Sequence, residues 1–173
     1  MLTVATLVSL SSSSIRDNAM QRTLHEVDQL ATTFVRGIGL WMCNRQKAVN
    51  SLKGSLQRSP EVNILPFMMQ VLMQIHEASG FALTYDGDER GNMYLQDPSL
   101  NTAGYDPRVR LWYQDAMREG TMIMTAPCVS ATLQKLVVTI AEPVMNNGRL
   151  QGVAAANLSI DQLTDAARTL KMP

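Results

Sequence analysis

The residues best equipped for chemistry lie in one stretch, Tyr105-Asp106-Pro107-Arg108-Val109-Arg110-Leu111-Trp112-Tyr113-Gln114-Asp115-Ala116. Two arginines, two tyrosines and a tryptophan fall within nine residues of it. A guanidinium presents a rigid fork of donors that matches a carboxylate. Tryptophan and tyrosine supply apolar walls with one polar tip each. Asp106 is a good N-cap and Pro107 suits the first helical position, so the stretch reads as a short helix running to Glu119 and stopped by Gly120. On such a helix Arg110, Tyr113 and Met117 share one face, and Trp112 and Ala116 share a neighbouring one. This set suits a pocket for a small anion or zwitterion. It equally suits a structural role, with arginine in a salt bridge and aromatics packed where a helix meets a sheet. The residues alone leave both open.

Other constellations are weaker. Asp86 and Asp88 suggest a calcium loop, but Arg90 stands where a third oxygen ligand belongs and the closing glutamate is missing. The run Asp86–Gly91 therefore reads as a hairpin turn. Cys128 as a nucleophile with His76 as its base would be an enzyme's pair, yet no third group is evident to orient it. We expect no catalysis. Cys43 and Cys128 lie far apart and read as free thiols, and no Cys/His cluster has zinc spacing, so no metal or cofactor is expected.

Composition narrows the class. A chain of 173 residues fits one domain, and 46% hydrophobic residues suffice for a core. Fifteen basic and fifteen acidic residues balance, so nothing global favours nucleic acid or an anionic membrane. Aromatics are few at 5% against 12 methionines, and methionine is expected to fill much of the core.

The elements that must position the aromatic–arginine stretch follow from periodicity. Residues 15–58 carry apolar side chains at spacings of three and four, from Leu24, Val27 and Leu30 to Trp41 and Met42, which predicts a long helix of roughly 60 Å. Two packed helices broken near Gly37–Gly39 are the alternative. Residues 1–14 begin with ten mostly apolar residues, too few to cross a bilayer, and are expected to be the outer end of a transmembrane segment or a linker. A frayed terminal turn is the other reading. After a break at Ser59-Pro60, Asn63 caps a second helix that reaches about Ala78 and ends at Gly80. Phe81–Tyr85 and Asn92–Gln96 read as a hairpin, and Met122–Ala126, Leu136–Pro143 and Leu150–Asn157 as three more strands. Asn147-Gly148 makes a tight turn between the last two. Ser159 and Gln162 form a capping box for a closing helix to about Leu170. The order predicts an α+β fold: a long N-terminal helix packed on a roughly five-stranded antiparallel sheet, with residues 59–173 as the ligand-binding module of one domain spanning 15–173.

The aromatic–arginine stretch also resembles the YDPRxRPWYxxA signature of Cache domains, the PAS-like extracytoplasmic sensors of chemotaxis receptors and many sensor kinases. Met124-Thr125-Ala126-Pro127, Val138–Val144 and Gly152–Leu163 resemble the strands and closing helix that follow it in that family. The apolar stripe of the long helix is broad enough to serve both the sheet and a partner, so a homodimer through that helix is expected. The resemblance implies a periplasmic or exterior sensor of the bacterial inner membrane, anchored in that membrane. It further implies that Tyr105, Arg110, Trp112 and Tyr113 line the pocket, with Arg110 and Trp112 on the ligand's carboxylate. Cys128 and Asn157 occupy positions where the amino-acid-binding branch has a tyrosine and an aspartate that hold the ligand's ammonium group. Asparagine keeps an acceptor oxygen but lacks the charge. A small carboxylate or other anion is therefore expected over an amino acid. The alternatives are an amino-acid sensor of a histidine kinase or cyclic-dinucleotide enzyme, and a ligand-free dimerisation domain.

Overall fold

The computed structural model describes the backbone of residues 2–58 and 64–171 and the side chains of residues 20–58 and 64–169. The break at Ser59-Pro60 and the cap at Asn63 lie outside the described residues. Helix α1, Leu2–Gln57, is a single unbroken element of 56 residues, about 80 Å long. It starts well before residue 15 and passes through Gly37 and Gly39 without ending. No helix among the described residues is long and apolar enough to cross a membrane. Helix α2, Ile64–Ser79, ends at Gly80, whose N–H donates to the His76 carbonyl at 2.9 Å.

The sheet follows: β1 Leu83–Asp88, β2 Met93–Leu95, β3 Ile123–Met124, β4 Cys128–Val129, β5 Leu136–Asn146 and β6 Arg149–Ser159. Helix α3, Leu111–Glu119, lies between β2 and β3, and α4, Ile160–Lys171, closes the chain. The strands are antiparallel in the order β2-β1-β6-β5-β3, with β4 also paired to β5. The sheet thus has six strands, the two-residue β4 being one that periodicity cannot reveal. β1 extends three residues past Tyr85, because Leu83↔Asn157 through Asp88↔Gly152 keep it paired with β6. β5 continues through Pro143 to Asn146. The pairing of β3 stops at Ala141, so Pro143 stands where β5 has an open edge, a place that tolerates a residue without N–H. Asn147 and Gly148 both take positive φ, 50° and 76°, as a two-residue hairpin turn requires.

Strand alternation divides the interior into two layers. On one face Ile140, Val144, Ala154, Ala156 and Leu158 meet Val49, Leu52 and Leu56 of α1 and Met68 and Leu72 of α2. On the other Tyr85, Ala141, Val153 and Ala155 meet Trp112, Tyr113 and Ala116 of α3. Full burial of side chains such as Leu52, Leu72, Ile140 and Leu158 contributes about 1.5–3 kcal/mol each. The core is built of leucine, valine and alanine rather than methionine. Met68 is the one buried methionine among the described residues, whereas Met20, Met73, Met124 and Met145 are exposed. The run of alanines in central β6 keeps that strand thin, so helices approach it from both sides.

Two local devices fix the termini and the lid. Ser159 and Gln162 make the reciprocal capping box: the Ser159 N–H donates to Gln162 Oε1 at 2.9 Å, and the Gln162 N–H donates to Ser159 Oγ at 3.1 Å. Gly87 lets the Tyr105–Tyr113 segment lie on the sheet, since a Cβ there would stand 2.7 Å from Pro107 Cβ and 3.0 Å from the Trp112 ring.

Candidate functional site

Asp106 organises the entrance. Its carboxylate accepts the Arg108 N–H at 2.9 Å and pairs with the Arg108 guanidinium at 2.8 Å. This caps a 3-10 turn, Pro107–Val109, rather than a helix. The chain then extends at Arg110, φ −93° and ψ 143°, before α3 begins. The expected continuous helix from Pro107 is therefore corrected to two pieces. Arg110 does not share a helical face with Tyr113 and Met117; it stands in the break, an exposed residue whose guanidinium lies 4.4 Å from the Tyr105 ring centre. Among the described residues no carboxylate lies within ion-pair distance of it, while Arg108 is held by Asp106.

Between this segment, the chain around β4 and the sheet lies a cavity of about 410 Å³. Tyr105, Arg110, Trp112, Cys128 and Asn157 all line it. Trp112 is buried, with its Nε1–H directed at the Tyr105 hydroxyl at 3.4 Å and its ring edge-on to Tyr85 at 5.0 Å. Tyr113 is not part of the lining. It belongs to the core beside Trp112, ring centres 5.6 Å apart, because α3 turns that position away from the cavity. Cys128 is exposed at the mouth and not on the floor, since β4 is a two-residue strand on the edge of β5. It is a free thiol, as is Cys43 on α1. His76 sits on α2, behind the sheet, so the Cys128–His76 pair does not form.

The floor is Asn157, almost fully buried. Tyr85 OH and Thr139 Oγ1 each donate to its Oδ1 at 2.8 Å, and its Nδ2 donates to Ser130 Oγ at 3.4 Å. Both lone pairs of the amide oxygen are thereby taken, and the side chain is locked. Burial pushes the Tyr85 phenol far above its ordinary range, so it stays neutral. The floor therefore carries no charge, and its free acceptors are hydroxyl oxygens. Asp115 also lines the wall, with its carboxylate paired to Arg118 at 2.7 Å.

Tyr85, Thr139 and Ser130, which surround Asn157, line the cavity although residue type and spacing do not mark them. Cross-strand register signals two of them: Thr139 lies opposite Asn157, and Tyr85 opposite Ala155. The Asp86–Gly91 stretch holds no calcium loop. Asp88 instead ties the hairpin, accepting the N–H groups of Arg90 and Asn92 at 2.9 and 2.8 Å. Among the described residues no group of three or more acidic, histidine or cysteine side chains could hold a metal ion.

A helix-backed antiparallel sheet with a polar-floored cavity under a short helix is an arrangement suited to a small-molecule ligand. The family model for the methyl-accepting chemotaxis protein-like first PDC sensor domain matches residues 49–165, and the chain belongs to that family. It is 32% identical over 145 residues to the methyl-accepting chemotaxis protein PscA of Pseudomonas syringae pv. tomato, covering 84% of this chain and 23% of that protein. It is 30% identical over 164 residues to PctB of Pseudomonas aeruginosa, covering 94% and 25%. The chain thus spans about a quarter of the length of the curated relatives it matches. Among solved structures, it resembles the ligand-binding domain of the P. aeruginosa amino acid chemoreceptor PctC in complex with GABA. There the TM-score is 0.74 at 28% identity, covering 80% of this chain and 65% of that one. The PctB domain in complex with L-Arg gives 0.66 at 30% identity, covering 76% and 55%.

Proposed function

We propose that the chain is the ligand-binding sensor of a membrane-anchored chemotaxis receptor, facing the periplasm or exterior, and that it binds a small carboxylate without catalysing a reaction. The observation that carries this reading is Arg110, a guanidinium without a carboxylate partner among the described residues, poised over Tyr105 at the rim of a cavity with a neutral floor. A ligand carboxylate would take the guanidinium fork, with the Trp112 and Tyr105 rings as walls. The long α1 supports a role in transmission. Its apolar residues Met20, Leu24, Val27, Leu30, Val35 and Leu40 are exposed beyond the sheet, a stripe that suits pairing with a second copy. On this reading residues 1–14 lead toward the membrane and residues 15–173 form one sensor module.

The chemoreceptor names of the relatives favour chemotaxis output over a histidine kinase or a cyclic-dinucleotide enzyme. A second reading, an amino-acid ligand, draws on two observations. Asp115 lines the cavity, and the solved relatives PctC and PctB are in complex with GABA and L-Arg. Titration calorimetry with propionate on the wild type and on Arg110→Ala tests the carboxylate reading. At least about tenfold weaker binding is expected on losing a charge-assisted pair. Equal affinities would overturn it.

A further inference from the structure

The helix face of the sheet holds a second cavity, about 440 Å³, lined on one side by Leu56 of α1, Met68 of α2 and Val144 of β5 and on the other by the polar hairpin residues Asp88, Glu89 and Arg90. Asp86 faces it, 4% exposed, and Asp86 Oδ1 has no hydrogen-bond partner. A buried carboxyl oxygen without a donor is costly and uncommon in a native fold. The space before it is built in. On β6 the residues opposite Asp86 and Asp88 are Ala154 and Gly152, so no large side chain from that strand fills the gap. A Cβ at Gly152 would stand 2.5 Å from the Gly87 carbonyl oxygen and 3.2 Å from Asp86 Oδ2, so the close approach of β1 itself keeps this position bare.

We propose that this cavity is a second binding site, for a small organic ammonium ion whose N–H groups reach Asp86 while its alkyl part lies against Leu56, Met68 and Val144. The charge count sets the class. The Asp88 carboxylate already accepts from the backbone of Arg90 and Asn92, from Asn92 Nδ2 at 2.7 Å and from Tyr94 OH at 3.1 Å. Glu89 is paired with Arg149 at 2.8 Å. Asp86 is left as the carboxylate free to meet a cation, enough for one positive charge and far short of the six to eight oxygens a calcium ion takes. Leu56, Met68 and Val144 offer an apolar surface on one side that suits an alkyl chain. Arg90, at the exposed rim, makes no ion pair with Asp86, and Tyr94 is its cross-strand neighbour. The site lies on the opposite face of the sheet from the cavity under α3.

Protonation is coupled to occupancy. Burial first, and the neighbouring Asp88 carboxylate second, hold Asp86 near a pKa of about 8, so at pH 7 it carries a proton. An entering ammonium ion turns Asp86–COOH into Asp86–COO⁻, and the proton passes to the buffer. Tyr94 and Tyr113, the other titratable groups that feel Asp86, are also raised and stay neutral; the remaining titratable side chains lining the cavity are Asp88, Glu89 and Arg90.

The test is calorimetry of the 173-residue chain with n-butylammonium chloride at pH 7, in two buffers of different ionisation enthalpy, with n-butanol as the neutral control. Saturable binding with close to one proton released is expected. The affinity should rise about tenfold per pH unit from pH 6 and level off above pH 8. Asp86→Asn, a neutral isostere, should bind at least about tenfold more weakly and release no proton. Tyr94 ring signals in NMR spectra should move while the Trp112 indole N–H stays in place. Any of four results overturns the proposal: no saturable binding at pH 8, equal binding of butanol, no proton release, or movement of Trp112 in place of Tyr94. If Asp86→Asn fails to fold, proton release and the Tyr94 shift in the wild type still decide.

Discussion

Replacing Asn157 by aspartate tests the electrostatics of the cavity under α3 most directly. In the wild type an ammonium group that reaches the floor finds Asn157 Oδ1 already accepting from Tyr85 and Thr139, and meets uncharged hydroxyl oxygens. It must give up water there without a counter-charge, at about 1–3 kcal/mol, or roughly tenfold to a hundredfold in affinity. Asn157→Asp keeps the two accepted bonds and exchanges the amide N–H, now directed at Ser130 Oγ, for an oxygen that Ser130 can serve as donor. The carboxylate would have three hydroxyl neighbours, which keeps it folded, and an unmet negative charge, which an ammonium group satisfies. Calorimetry with propionate and alanine, matched in size and differing by the amine, reads the effect. The wild type should prefer propionate, and Asn157→Asp should shift the ratio toward alanine by at least tenfold. If the wild type binds alanine better and the substitution adds nothing, the argument is wrong. Asp115, or a water held by the floor hydroxyls, then holds the amine.

Three further outcomes are expected. Gly87→Ala should lower the melting temperature through overpacking of about 1–3 kcal/mol against Pro107 and Trp112, and weaken ligand binding with it, because the lid segment must lift. The folded pKa of Asp86 is raised to about 8 from the unfolded value of 3.8, so the native state binds the extra proton and stability falls as pH rises between those values. The slope from this group approaches 1.4 kcal/mol per pH unit at most. Urea denaturation at pH 5 and pH 8 should show Asp86→Asn gaining on the wild type at the higher pH. Sedimentation velocity should show weak, concentration-dependent pairing of the chain, lost in Leu24→Glu/Val27→Glu; a strict monomer at high concentration would remove α1 as the interface.

Much of the architecture is legible in the residue pattern, for identifiable reasons. Helix α1 and the β5–β6 hairpin announce themselves because one follows a 3.6-residue period and the other turns on Asn147-Gly148. The capping box at Ser159 and Gln162 is likewise local. What escapes is what depends on pairing. The bulge between Val144 and Met145 shifts the β5–β6 register by one residue, so that Asn157 faces Thr139 and not Val138. Counting back from the turn cannot reveal this, and with it goes the hydroxyl floor. β4 is too short to have a period. Asp106-Pro107 is a genuine start signal and predicts Arg110 on a helix, but the helix it starts is one 3-10 turn, and Leu111 begins another. The resemblance of the Tyr105–Ala116 stretch located the cavity wall, while the exclusion of Tyr113 and the rim position of Cys128 depend on how α3 and β4 are turned.

The cavity and the long helix share the same two strands, and strand alternation sets how closely. Thr139 and Asn157 face the cavity; their chain neighbours Ile140, Ala156 and Leu158 face α1 and pack with Val49. A displacement of the floor by a ligand is therefore one peptide unit away from the helix contact. Lys53 of α1 adds a polar link to the same strand, its ammonium 2.6 Å from Glu142 on β5. Alanine at 154 and 156 leaves no flexible side chain to absorb a shift, and close-packed layers pass strain on. On the proposed sensor reading, the element placed to receive the ligand's effect is the stretch of α1 from Val49 to Leu56, which packs on the other face of the same strands. It lies at the sheet end of the helix, with the exposed apolar stripe running on from it.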